Sequence, residues 1–209
     1  MSLTTRTFVA EAEYVVASIQ YRTIPQGATY TDTLADIAAA IQFLRTNASQ
    51  YGIDPAKVAV WGDSAGGYLA SMTGLTGDAN VQAVVDDFGA TDLSKVTSDF
   101  DTAGQQAMAP LTSSFVKYAP DMTAANPANR VTADAPPFLI FHGNQDTIIS
   151  PSQTLLLHNA LQAAGADSTR YVVDGGGHGT LAPTPESRLP WTSQQVLGIT
   201  VNFLNKHLK

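Results

Sequence analysis

Residues Gly62, Asp63, Ser64, Ala65 and Gly66 set a serine between two glycines where a β-branched run gives way to small residues. A Gly-x-Ser-x-Gly pentapeptide arises about 0.08 times by chance in a chain of this composition, so its setting must carry the argument. Between a strand and a helix, such a pentapeptide can form a sharp turn that exposes the serine hydroxyl, with glycines keeping side chains away from it. A hydroxyl is a poor nucleophile until a base takes its proton, and the base needs a carboxylate to hold its tautomer. Two later segments supply these groups, each just past an apolar run: Asp146 in FHGNQDTIIS and His178 in VVDGGGHGT. The chemistry implied is acyl transfer through Ser64, with His178 as base and Asp146 as orienting acid. Asp86, Asp87, Asp92 and Asp174 also lie near strand ends and compete with Asp146 for that role. His142, inside an apolar run, reads as a hydrogen-bonded structural residue, and His158 and His207 as surface residues.

These residues need a scaffold that brings distant loops together. Strand-like and helix-like segments alternate along the 209 residues, the signature of an α/β fold with a mostly parallel sheet flanked by helices. Five strands are expected, at 14–21 (YVVASIQY), 57–61 (KVAVW), 81–88 (VQAVVDDF), 138–142 (FLIFH) and 169–173 (TRYVV). Helices are expected over 33–50, from a Ser150-Pro151 start to Gly165, and from Ser193 onward. Ser64, Asp146 and His178 then all follow the carboxyl ends of strands, where open α/β sheets place their sites. Residues 89–137 show no clear period and are far longer than an ordinary connection, so we expect a cap or long loop over the site within a single domain covering 1–209.

Composition removes other classes. The net charge of −7 offers nucleic acid no basic face, and no apolar run approaches the roughly 18 residues that a membrane helix needs. The chain has no cysteine, which excludes disulfides, thiolate catalysis and cysteine-ligated metals. No histidine or carboxylate cluster has metal-ligand spacing and no glycine-rich phosphate loop is present, so neither metal nor cofactor is expected. Compartment is left open.

The chain resembles α/β-hydrolase esterases, in the branch that contains the hormone-sensitive-lipase-like and the feruloyl and acetyl-xylan esterase-like proteins. The resemblance rests on YVVASIQYR (14–22), ADIAAAIQFLRTNASQYGIDPAKVAVWGDSAGGYLA (35–70), VVDDFGATDL (84–93), PPFLIFHGNQD (136–146) and YVVDGGGHG (171–179). It implies Ser64 as nucleophile, Asp146 as acid, His178 as base and the Ala65 amide as one oxyanion donor. It further implies a small ester substrate, short-chain or carbohydrate-linked, with Asp63, Tyr68, Tyr21 and Arg22 as substrate-contacting candidates. Trp61, Tyr68 and Tyr21 are aromatics that could stack on a sugar or equally fill the core. Members of that branch carry about three further strands before the one matching 14–21, and the third ends in a His-Gly-Gly oxyanion loop. The first thirteen residues cannot hold them, so the chain resembles a member lacking its amino-terminal part. Either 14–21 pairs directly with 57–61 and Tyr21-Arg22-Thr23 offers the second oxyanion donor, or a second copy supplies the strand in a homodimer. A rival expectation is a non-catalytic or weakly active hydrolase-like binding module without a complete oxyanion hole.

Overall fold

A computed structural model describes residues 2–209. Helix α1 (Leu3–Glu11) starts on the Ser2 hydroxyl, which accepts from the Thr5 amide. Helix α2 (Tyr30–Thr46) opens with a reciprocal cap between Thr29 and Asp32. The expected single helix over 33–50 breaks at Asn47, whose side-chain amide donates to the Phe43 carbonyl, and continues only as a turn, α3 (Ala48–Tyr51), ended by left-handed Gly52. Strand β1 (Ala59–Asp63), helix α4 (Ala65–Thr76) and strand β2 (Ala83–Asp87) follow.

The 89–137 stretch holds a helix that the sequence reading did not anticipate, α5 (Thr102–Tyr118), capped by Asp101 and containing Pro110, and a short α6 (Met122–Ala125). Strand β3 (Phe138–Gly143) then leads to α7 (Ser152–Ala163), β4 (Ser168–Val173) and α8 (Gln194–Leu208). Helix α7 is not capped by Ser150 as expected, because that hydroxyl accepts instead from the Asp99 amide.

All four strands are parallel, in the order β1-β2-β3-β4. Strands β2 and β3 are buried along their whole length; Ala83–Val85 and Phe138–Phe141 are apolar runs, and Asp86, Asp87 and His142 are polar residues buried toward the carboxyl ends. One face packs Val84, Phe138 and Ile140 against α2, α4 and α7, and the other packs Val85, Leu139 and Phe141 against α1 and α8.

The expected first strand is overturned. Residues 14–21 are extended but form no strand, and among the described residues no backbone hydrogen bond reaches 15–21. Strand β1 pairs only with β2 and stands at the sheet edge. Tyr14 packs with the α1/α8 cluster while Ile19 and Tyr21 pack with the other, so the segment passes from one face to the other instead of lying alongside β1. Val15 and Val16 are left exposed. The direct pairing of 14–21 with 57–61 is therefore excluded.

Candidate active site

The β1–α4 turn carries Ser64 at φ 57° and ψ −117°, an unfavourable backbone region for a residue with a side chain. Two contacts hold it there. The Ser64 amide donates to the Asp87 carbonyl at 2.9 Å, and Gly62 lies so close to Gly66 that a methyl group on it would fall 2.2 Å from the Gly66 carbonyl. The reversal at Ser64 thus requires glycine at 62, and it places the hydroxyl at the carboxyl edge of the sheet beside the first amides of α4.

Asp146 and His178 come from the loops after β3 and β4, and these loops abut. A methyl on Gly143 would lie 2.1 Å from the Gly176 carbonyl, and the Gln145 amide donates to that carbonyl at 2.9 Å. Trp191 pins the second loop by donating its indole N–H to the Gly177 carbonyl. Of the three glycines before His178, Gly176 and Gly177 therefore serve close packing and Gly175 a left-handed turn at φ 69°, and His178 is 2% exposed rather than displayed on a mobile turn.

The result is a continuous line of contacts. His178 Nε2 lies 2.6 Å from Ser64 Oγ, and His178 Nδ1 lies 2.7 Å from Asp146 Oδ2. Asp146 Oδ1 accepts the amides of Ile148 and Ile149. Burial works against its charged form, but hydrogen bonds from His142, His178 and the Ile149 amide outweigh it and hold the carboxyl well below the usual range. Of the competing carboxylates, Asp86 is tied to Ser71 and the Gly89 amide, Asp92 to Ser94 and Asn126, and Asp174 to Asn144. Asp87 holds the indole of Trp61.

Sequence reasoning missed the rings that frame the base. Phe88 and His178 meet at 4.8 Å between centroids in an edge-on contact, and Phe88 packs against Trp191 at 4.5 Å. Phe88 itself has φ 48°, directed inward by the turn after β2. No spacing rule finds it, although its place just past a buried strand is the kind of position from which a site is lined.

Beside Ser64 and His178 lies a cavity of about 310 Å³. It is lined by Tyr21, Arg22 and Ile24, by Tyr68 and Leu69 of α4, and by Leu111, Phe115 and Tyr118 of α5. Of the expected substrate-contacting residues, Tyr68, Tyr21 and Arg22 line it; Asp63 is not on its wall and sits opposite Asp87 at the end of β1. Trp61 packs toward the α1/α8 cluster, away from the cavity. Residues 21–23 line the cavity with Ser64, but two of their three amides are committed to side chains. The Arg22 amide donates to Asp36 Oδ2 and the Thr23 amide to Gln26 Oε1, each at 2.9 Å. Arg22 also grips Asp36 with its guanidinium, which holds that carboxyl down at about 2. Among the described residues no group of histidines and carboxylates could hold a metal ion, and no helix is long and apolar enough to cross a membrane.

The model of the BD-FAE family matches residues 1–161. The chain belongs to the BD-FAE family. Relatives of this BD-FAE chain include the probable carboxylic ester hydrolase LipM of Mycobacterium tuberculosis, 31% identical over 69% of this chain and 37% of that one. The esterase LipQ of the same organism is 29% identical over 87% and 46%, and the isoprenylcysteine alpha-carbonyl methylesterase ICME of Arabidopsis thaliana 28% over 81% and 44%. The chain thus spans less than half the length of these three relatives. Among solved structures, a truncated form of a carbohydrate esterase from gut microbiota aligns with a TM-score of 0.80, 25% identity, and coverage of 98% of this chain and 78% of that one. An arylesterase aligns at 0.76 with 22% identity over 99% and 70%, a likeness of fold. The architecture is that of an α/β-hydrolase.

Proposed function

We propose that this BD-FAE chain is a serine carboxylesterase with Ser64, His178 and Asp146 as its catalytic residues. The observation that carries this reading is the unbroken line from Ser64 Oγ through both nitrogens of His178 to Asp146, at 2.6 and 2.7 Å. His178 Nε2 takes the Ser64 proton as Oγ attacks the ester carbonyl, and Asp146 stabilises the imidazolium that forms. The tetrahedral oxyanion faces the Ala65 amide at the start of α4, where the helix dipole also favours negative charge. His178 passes its proton to the departing alkoxide, leaving an acyl group on Ser64. Water, deprotonated by the same imidazole, then releases the acid.

The cavity wall of aliphatic and aromatic side chains favours esters with an apolar acyl group small enough for about 310 Å³. We assign short-chain or carbohydrate-linked acetyl and feruloyl esters as the substrate class, with Tyr68, Tyr21 and Arg22 as contacts and α5 as the cap. The chain acts as one domain, with no cofactor. A homodimer in which a second copy pairs with the open edge of β1 is one closure of the sheet, read by light scattering.

A second reading has its own observation. The Arg22 and Thr23 amides are committed to side chains, and loss of one oxyanion donor costs about 10² to 10³ in turnover. A hydrolase-like binding module would keep the three residues and turn over little. A fluorophosphonate probe together with p-nitrophenyl acetate separates the two. Esterase chemistry requires labelling at Ser64 and its loss in Ser64→Ala; a folded parent that is not labelled, or a Ser64→Ala variant as active as the parent, removes it.

A further inference from the structure

The proposed chemistry uses Asp146 through His178, yet the same carboxylate oxygen has a second imidazole against it. His142, wholly buried on β3, places Nε2 at 3.2 Å from Asp146 Oδ2 and 3.1 Å from the Ile149 carbonyl. Both neighbours are acceptors, so Nε2 carries a proton. The other ring nitrogen, Nδ1, lies 2.9 Å from the Thr154 hydroxyl on α7. That hydroxyl accepts Arg170 Nε at 3.0 Å. Its one alternative acceptor, the Pro151 carbonyl, is 3.4 Å away and already receives Arg170 Nη2 at 2.9 Å. The Thr154 hydrogen therefore goes to His142 Nδ1. Arg170 on β4 donates to Thr154, Thr154 to His142, and His142 to Asp146, every donor aimed toward the acid.

Asp146 consequently receives four N–H groups: His178 and His142 on Oδ2, the Ile148 and Ile149 amides on Oδ1. A carboxylate so held can neither rotate out of the plane of His178 nor readily take up a proton. We propose that His142 is a positioning residue for Ser64, fixing the plane of Asp146 and moderating the negative charge that Asp146 presents to His178. The proposal rests on the esterase reading above for its role in turnover, but its physical content, the state of His178, does not.

The groups that bear on this are few. Asp86 on β2 faces His142 from the sheet side, Thr154 from α7 and Arg170 reaches it from β4 through Thr154; His178 is faced by Asp146, Ser64 and the ring of Phe88. With the His142 donor removed, the charge of Asp146 acts on His178 less offset and favours its protonated form. The acid limb of the rate profile then moves to higher pH.

The test compares His142→Phe, which fills the space without a donor, with His142→Gln, whose amide nitrogen can occupy the place of Nε2. In the first, kcat falls by up to about 10²-fold with KM little changed, and the acid limb moves up; in the second both return toward the parent. Should His142→Phe fail to fold, Thr154→Val against Thr154→Ser asks the same question from the other nitrogen. Titration of the His178 ring by NMR in parent and variants gives a readout without any ester. A parent that cleaves no ester refutes the function proposed above but leaves this measurement intact. Folded variants whose His178 titration matches that of the parent overturn the role of His142, as does a His142→Phe enzyme with parental kcat and pH profile.

Discussion

Replacing Asp87 by asparagine is expected to stabilise the protein increasingly as pH rises. Asp87 ends β2 beneath the Ser64 turn; its Oδ2 accepts the Trp61 indole N–H at 2.7 Å, while its buried Oδ1 has no partner among the described residues. Burial, partly offset by Trp61 and reinforced by the charges of Asp86 and Asp63, pushes the carboxyl from 3.8 up to about 8. In the unfolded chain it ionises at its ordinary value. Between these limits the native state binds the extra proton, so the stability that Asp87 allows is fully present below about pH 4 and is lost as pH climbs toward 8. At 1.36 kcal/mol per unit, the interval of about four units corresponds to about 5 kcal/mol. Asp86, raised by burial to about 6, adds a loss of the same sign over the lower part of the range. Asparagine has no proton to lose and keeps an oxygen for Trp61, so only the Asp87 part disappears. Calorimetry at pH 4, 6 and 8 should show similar Tm values for parent and Asp87→Asn at pH 4. At pH 8 the variant should melt higher by about 10–20 °C, at roughly 2–4 °C per kcal/mol for a domain of this size. Parallel Tm-against-pH curves, or a variant less stable than the parent at pH 8, would refute a protonated Asp87 in the native state.

Gly143→Ala sets a methyl 2.1 Å from the Gly176 carbonyl and must drive apart the loops that carry Asp146 and His178. We expect a loss of about 1–3 kcal/mol in a urea melt and, because a displacement near 1 Å is costly in a site, about 10²-fold in kcat. Asp36→Asn frees the Arg22 amide and guanidinium that hold one cavity wall. Because that ion pair is exposed, the melting temperature should barely move, whereas KM for p-nitrophenyl acetate should rise more than kcat falls in steady-state kinetics.

The parts of this molecule legible in its sequence are those whose environment writes a simple rule. Strands β2 and β3 are buried on both faces, which favours short apolar runs, and 83–85 and 138–141 supply them. The same rule misread 14–21, because β-branched composition reports what a segment could pair with and not whether a neighbour is there. Helix α5 escaped for the opposite reason. Met108, Leu111, Phe115 and Tyr118 do recur at helical spacing behind the Asp101 cap, but Gly104, Pro110 and a Thr-Ser-Ser run obscured the period. Ser64, Asp146 and His178 were identifiable because a strand end followed by a loop fixes where a side chain can go even when its distance is unknown. Phe88, Trp191 and the Thr154-to-Asp146 contacts of His142 were not, since each depends on which loops meet across the sheet edge. His142 marks the boundary. Its burial and its need for partners follow from a histidine inside an apolar strand, but that one of those partners is Asp146 follows only from the turn after β3, in which the Asp146 amide returns to the Gly143 carbonyl.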